Sequence, residues 1–520
     1  MLFLFMSSRL QAVTMACSFS TELLISILVL LVVLVLYIKS SRSSENNSFL
    51  HTDWPLVGIL PSLVINLHRL HDYIVFDLLA PSRLSLKFAI ASIQIFITCD
   101  PRNIQHIFTS NHANYPKGEA FADIFDVTRG SLFTVDGESC RRERANYQGV
   151  LSNPRLVGLM ARCCRDKVEK GLMPFMAHMV RTSTPVDMSD LMMRLVLDLY
   201  ATTIFGVDPA RLSLHMPPMD VGNAMDTVME VGFIRHIVPV SCWKLMRWLH
   251  IGPERKLAAA QVVLRGFTAD MIAERRNSGD TIGQEPVDVL SNYINDPNYN
   301  NADLLQATLI TYMIAGRDTI GTTLPWVLYN LAKNPHVVSS IRDELAPIMS
   351  RKDLGHDQQA RMTIDLEEAK TLVYLHATLL ETLRLYPPIP IERKSVVATD
   401  VLPSGDKVCA RDIVLVSLYS MGRMEAIWGG DCQEYRPERW LSEDGRHLRY
   451  VPSHKFLAFN SGPRLCLGKD IALMQLKIIV ASVVWNFDFK MLGGEAIHTK
   501  LSCLLQMKDG LKMELNKREM

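Results

Sequence analysis

The chain of 520 residues lacks any surplus of charge. Its 55 Lys and Arg face 54 Asp and Glu, for a formal net charge of +1. No overall field exists to attract nucleic acid, and no nucleic-acid partner is expected. It also lacks CxxC pairs. The ten cysteines stand at 17, 99, 140, 163, 164, 242, 409, 432, 466 and 503. Those spacings suit neither a zinc site nor a small disulfide-stapled scaffold, and most read as small buried hydrophobes in a reducing compartment. Beyond residue 61 there is no low-complexity linker, no block of like charge and no internal repeat. A length that could hold several domains therefore reads as one large domain over 54–520.

Long apolar runs are few, and one stands at the N-terminus. Residues 23–38 read L-L-I-S-I-L-V-L-L-V-V-L-V-L-Y-I, long enough with their neighbours for a thin bilayer. A cleaved signal peptide would have a shorter run ending at a small-x-small site. Here Lys39 and Arg42 follow at once, which favours an uncleaved transmembrane anchor with the remainder in the cytosol. Residues 1–22 form an N-terminal extension in which Met15 could equally be a start, and 39–53 a polar linker. Past Pro55, Gly58 and Pro61, apolar residues recur at three-to-four spacing over 187–205, 255–276, 303–333, 335–349, 366–386 and 469–485, predicting helices. Strand patterns are short: 87–98, 412–419 and near 506–515. The fold class expected is mainly α with a small β part.

The chemistry concentrates late in the chain. Residues 459–468 read F-N-S-G-P-R-L-C-L-G. Gly462 and Pro463 make a turn that exposes backbone N–H groups able to stabilise a thiolate. Arg464 places a cation two residues before Cys466, and Gly468 removes side-chain bulk beside the sulfur. A buried cysteine in a Gly-Pro loop would explain C-x-G alone; F-x-x-G-x-R-x-C-x-G is far more specific.

With these residues the chain resembles the cytochrome P450 family over residues 50–515. The resemblance implies that family's fold and heme b (iron protoporphyrin IX), with Cys466 as the proximal iron ligand and Phe459 and Arg464 in the heme loop. A thiolate ligand pushes electron density to the iron and favours O–O cleavage. Three other segments fit in the family's order. Glu381 and Arg384 in E-T-L-R share a helix face. By resemblance they join Arg439 of R-P-E-R-W in a buried structural triad, a costly arrangement unless fully paired.

Residues 315–320 read A-G-R-D-T-I within the apolar stretch 303–333, where a carboxylate and a hydroxyl are expensive unless used. Thr319 can bond back to the Ala315 carbonyl, and Gly316 leaves space beside it, loosening the helix. The bland alternative is a polar kink, with Pro325 a turn or two later. The resemblance implies an oxygen groove in which Asp318 relays protons and Thr319 steadies dioxygen for cleavage. Residues 136–144 depart from the family, with Cys140 where tryptophan is usual. Arg144, helped by Arg141, and Lys394 would pair the heme propionates.

Within the family, N-Y-P-K-G (114–118), L-R-L-Y-P-P-I-P (383–390) and F-L-A-F-N-S-G-P-R-L-C-L-G-K (456–469) resemble the plant branch that oxidises fatty acids and alkanes, and are similar to its mid-chain alkane hydroxylases. That implies an endoplasmic-reticulum enzyme supplied with electrons by NADPH–cytochrome P450 reductase. It would use O2 to hydroxylate a lipophilic small molecule, with cytochrome b5 left open as a second donor. Phe121, Phe125, Phe133, Phe233, Ile389, Ile391 and Leu504 are expected near the substrate, although core packing would explain each singly. Such a lining also suits an aromatic alkaloid precursor and oxidative phenol coupling. The aromatic and cationic stretch 231–249 either dips into the membrane interface or packs as an amphipathic segment. The rival classes are a heme-thiolate isomerase or dehydratase, to which a proton relay would be idle, and a non-catalytic heme protein.

Overall fold

The computed structural model describes residues 59–90, 93–277, 288–353, 363–493 and 497–518. The extension, anchor and linker expected over 1–53 lie outside the described residues. Among those described, no helix is long and apolar enough to cross a membrane.

Helix dominates. α1 (Gly137–Leu151) carries Cys140 and Arg144. α2 (Met188–Phe205) starts where the Asp187 carboxylate accepts from Ser189 N and stops at Gly206 in the left-handed region. That places an Asp cap and a Gly stop as helix termini require. α3 (Asp220–Ile237) and α4 (Val240–Leu249) divide the stretch 231–249. Pro239 separates them, since it cannot donate into a continuing helix. α5 (Gly252–Asn277) packs on α3. The apolar stretch 303–333 folds as α6 (Ala302–Met313), a π turn over Ile314–Asp318, and α7 (Thr319–Lys333).

α8 (Pro335–Asp353) precedes a region expected to be one helix over 366–386. It is two, α9 (Leu366–Thr371) and α10 (Val373–Leu385). The break comes from outside the segment. Glu344 of α8 accepts the N–H groups of Val373 at 2.6 Å, Tyr374 at 2.7 Å and Leu375 at 2.9 Å, capping α10 afresh. α11 (Lys469–Asn486) follows the cysteine loop.

The β part is small. The run 87–98 is two strands, β1 (Ser85–Ile90) and β2 (Ile93–Thr98), which pair antiparallel from Ser85↔Thr98 to Ile90↔Ile93. No Gly, Asn or Asp marks that reversal, so the sequence reads as one strand. β3 (Val186–Asp187) joins a second sheet; β4 (Ile391–Ser395) and β5 (Ile413–Ser417) complete the first, in the order β1-β2-β5-β4. β6 (Phe487–Met491) and β7 (Lys512–Lys517) flank the C-terminal end, with β7 between β3 and β6. One hydrophobic cluster runs from Ile59 to Leu515, so the described residues share a core.

Candidate active site

The cysteine loop is built by a backbone that needs glycine at one position. Gly462 has φ +58, and a Cβ there would overlap the Phe108 carbonyl. The crowding that demands glycine is therefore at Gly462. Gly468, expected to relieve the sulfur of bulk, faces open space, with no atom within 4 Å of an added Cβ. Cys466 N donates to Phe459 O at 2.8 Å, which closes the loop. Surrounding protein pushes the Cys466 thiol up, while the Gly468 N–H and the charges of Arg144 and Lys469 favour its thiolate. A cavity of about 730 Å³ reaches Cys466 and is lined by Arg144, Gln148, Leu151, His376, Met474 and Lys477 among others.

The π turn is the second part. Thr319 Oγ1 donates to Ala315 O at 2.7 Å, as the sequence predicts. The expected free space beside Gly316 is corrected: the Tyr200 ring of α2 fills it, and a Cβ at Gly316 would overlap that ring. Tyr200 in turn donates to Gln475 Oε1 of α11 at 3.0 Å. Ala315 is exposed although Met313, Ile314, Gly316 and Arg317 are buried, and Thr319 is half-exposed. That gives the helix a small, uncovered face.

Asp318 is fully buried and is not alone. Its Oδ1 accepts from Arg317 Nη1 at 2.8 Å, and the same nitrogen donates to Asp226 Oδ1 at 2.6 Å. Asp318 Oδ2 has no partner. Burial pushes the carboxyl up to about 6, with Arg317 opposing the shift and Asp226 adding to it. A group with one free oxygen and a pKa near neutrality can both take and give a proton. Nothing in A-G-R-D-T-I marked Arg317 as its partner or Asp226 as the third charge.

The triad residues come together. Glu381 accepts from Arg384 Nε and Nη2, each at 2.7 Å, and Arg439 Nε lies 3.6 Å from Glu381 Oε1. Arg439 bonds more closely to Asp431, at 3.0 Å. Sequence reading missed Asp431 and also Trp440, whose Nε1 donates to Glu381 Oε2 at 2.9 Å.

Cations gather between the N-terminal part and the loop. Arg144 Nη2 donates to Leu465 O at 2.6 Å. Arg464 binds Asp136 Oδ1 at 2.5 Å. Lys394 is buried, 3.9 Å from Glu392 Oε2 and 4.6 Å above the Phe108 ring. Arg141 does not join them: it is exposed and pairs with Glu138 at 2.8 Å, because its position on α1 turns it to solvent. Lys117, which sequence reading did not single out, does join. It is buried, donates to Phe133 O at 3.0 Å, and lies in the field of Arg464, Lys394, Glu392 and Asp136. Burial holds its ammonium down to about 7. Its only signal in the sequence was a lysine in N-Y-P-K-G.

The family model described as Cytochrome P450 matches residues 54–515. This chain is a cytochrome P450. Noroxomaritidine synthase 1 of Narcissus pseudonarcissus is 35% identical over 503 residues, covering 96% of each chain. Alkane hydroxylase MAH1 of Arabidopsis thaliana is 35% identical over 479 residues, covering 90% of this chain and 93% of its own. Cytochrome P450 86B1 of the same plant is 34% identical, covering 89% and 85%. As a P450 monooxygenase the protein uses heme b with a cysteine thiolate ligand, a redox partner, O2 and a small-molecule substrate.

The residues present fit heme. Lys117 and Lys394 lie in the field of Arg464, Glu392 and Asp136, and Arg464 also acts on Arg144. A cluster of cations of this kind suits the anionic propionates of heme b. Lys117→Met in this P450 is expected to weaken heme retention about tenfold, the worth of one charge-assisted hydrogen bond. The check is heme transfer to apomyoglobin; an unchanged transfer rate would remove Lys117 from the cluster's role. Asp318→Asn is expected to slow product formation about a hundredfold and to erase any inflection near pH 6. Turnover followed from pH 5.5 to 8 with the same reductase tests both. An Asn variant that kept the wild-type rate and profile would leave Asp318 a purely structural ion.

Proposed function

We propose that this P450 is an endoplasmic-reticulum enzyme, anchored by residues 23–38, that hydroxylates a long-chain lipid with electrons from NADPH–cytochrome P450 reductase. The observation that carries the substrate class is an aromatic cluster. Phe121, Phe125 and Phe133 form one cluster, with ring centroids 4.9, 5.3 and 5.2 Å apart pairwise. Gly232 of α3 packs against Phe125, and Cys503 N donates to Met229 O of α3 at 3.2 Å, so the C-terminal segment closes on the same cluster. Segments expected near the substrate thus meet in one apolar place. An alkane hydroxylase among the relatives supports the same class.

Membrane contact is supported by α4. Its Trp243 is buried, while Val240, Leu245, Trp248 and Leu249 are exposed, Trp248 at 75%. An exposed apolar face beside Lys244 and Arg247 suits the bilayer interface and would admit substrate from the lipid side.

Heme, held by Cys466 and by Lys117, Arg144, Lys394 and Arg464 at its propionates, would supply the oxygen chemistry. The chain's own residues do the rest. The aromatic cluster positions an apolar chain and excludes water. Thr319, its hydroxyl proton directed to Ala315 O, offers an acceptor oxygen on the uncovered face of the helix. Asp318, the preceding residue, holds or releases a proton at its unpaired Oδ2.

Noroxomaritidine synthase, with equal identity, favours a second reading in which an aromatic precursor is oxidised or coupled. The test is NADPH-dependent turnover in microsomes with reductase, offered fatty acids, long-chain alkanes and a phenolic amine, followed by mass spectrometry. A chain product heavier by one oxygen is the expected result. Loss of two hydrogens from the phenol, with the chains untouched, would overturn the lipid reading.

A further inference from the structure

β4 carries two cations on opposite faces, because side chains alternate along a strand. Lys394 turns to Phe108 and Glu392 lies on the same face as Lys394, toward the heme-loop side, where Glu392 accepts from Asn460 Nδ2 at 3.0 Å. Arg393 takes the other face, the one shared with Ile391. Its Nε is buried without a hydrogen-bond partner, and no carboxylate among the described residues pairs with it.

Arg393 does have a neighbour across the cluster. Its charge reaches His236 of α3. The His236 ring lies 6.2 Å from Phe121 and 5.9 Å from Phe125, edge-on to both. His236 Nδ1 bonds Gly232 O at 2.7 Å, and burial followed by the Arg393 charge pushes its pKa down to about 4. The imidazole is therefore neutral and does not offset the arginine. Burial holds Arg393 down to about 10, so the guanidinium keeps its charge at neutral pH.

Arg393 is half-buried with its Nε sealed from solvent and unpaired, which is costly for a cation, and an arginine fork fits a carboxylate with two parallel hydrogen bonds. An alkane has nothing to offer it, and a cationic amine would be repelled. We propose that Arg393 is a substrate anchor that binds the carboxylate of a long-chain fatty acid whose tail lies among Phe121, Phe125 and Phe133. This rests on the lipid-hydroxylase reading and narrows it from lipids in general to free acids. Arg393 would fix how far the chain enters, and so which carbon is presented.

The experiment is titration calorimetry of purified holoenzyme in nanodiscs with dodecanoic acid and with its methyl ester, alongside turnover of both. The wild type is expected to bind the acid about tenfold or more tightly than the ester. Arg393→Leu should lose about 10- to 100-fold in acid affinity and stay within about twofold for the ester. Arg393→Lys should recover part of the loss. Should Arg393→Leu fail to assemble with heme, the wild-type acid-to-ester ratio and the Lys variant decide the matter. Equal affinity for acid and ester, with the ester still oxidised, would overturn the anchor and leave the lipid-hydroxylase reading standing. If neither chain compound is oxidised while a phenolic amine is, that reading falls and the anchor with it.

Discussion

Replacing Cys466 by His is expected to abolish the thiolate-type band of the reduced, carbon-monoxide-bound protein and to lower turnover about a thousandfold or more. Histidine can still ligate iron, so the variant separates ligand identity from heme binding. The geometry explains why little else should change. The loop is closed by the main-chain bond from Cys466 N to Phe459 O, and its turn is set by Gly462 against the Phe108 carbonyl. Neither uses the sulfur. The groups that favour a negative sulfur, the Gly468 N–H and the charges of Arg144 and Lys469, have no such partner in a neutral imidazole. Electron donation to the iron falls, and with it the assistance to O–O cleavage. The check is the carbon-monoxide difference spectrum beside NADPH-dependent turnover. A thiolate band that survived the change would assign the ligand to another cysteine.

How much of this was legible in the sequence depends on the distance over which each feature is decided. The loop closure from Cys466 N to Phe459 O, the Glu381–Arg384 pair and the bond from Thr319 to Ala315 are local, with partners three to seven residues apart, and were within reach of the sequence. α2 begins and ends at its Asp and Gly signals for the same reason. What the sequence hid was decided from afar. Glu344 splits the stretch 366–386 by capping Val373, Tyr374 and Leu375. Tyr200 fills the space beside Gly316, and Asp226 reaches Arg317 across 91 residues of chain. Lys117 joins the cations only because its segment folds back onto the loop. Arg141 leaves them although it lies one helical turn from Arg144, because it is exposed and paired with Glu138.

This division also explains why the charged groups differ in kind. Cations near Cys466 are left in excess over their acids, an arrangement that invites an anionic ligand. Glu381 is the opposite case, an anion saturated by the protein itself, and its role is read from that saturation.

Glu381→Ala is accordingly expected to destabilise the protein by about 3–5 kcal/mol, the cost of leaving a buried charge without its partner. Glu381 and Arg384 have fully buried side chains. The carboxylate accepts four hydrogen bonds: two from Arg384, one from Trp440 Nε1, and one from Arg436 N at 2.8 Å. Arg384 spends its remaining donors on the carbonyls of Gly422, Cys432 and Glu434. Those oxygens satisfy N–H groups but do not cancel a full charge. Truncation therefore strands a buried cation and also orphans the Trp440 indole N–H, for which a further ~1–3 kcal/mol is expected. Against a usual stability of about 5–15 kcal/mol, that consumes much of the margin. Glu381→Gln keeps the shape but presents an amide N–H to donors already aimed at it, so it should recover little. Urea unfolding followed by circular dichroism measures both variants. A Glu381→Ala unfolding free energy within about 1 kcal/mol of the wild type would mean that Asp431, already bonded to Arg439, can turn to neutralise Arg384, and that the pair adds nothing the surrounding carbonyls do not already supply.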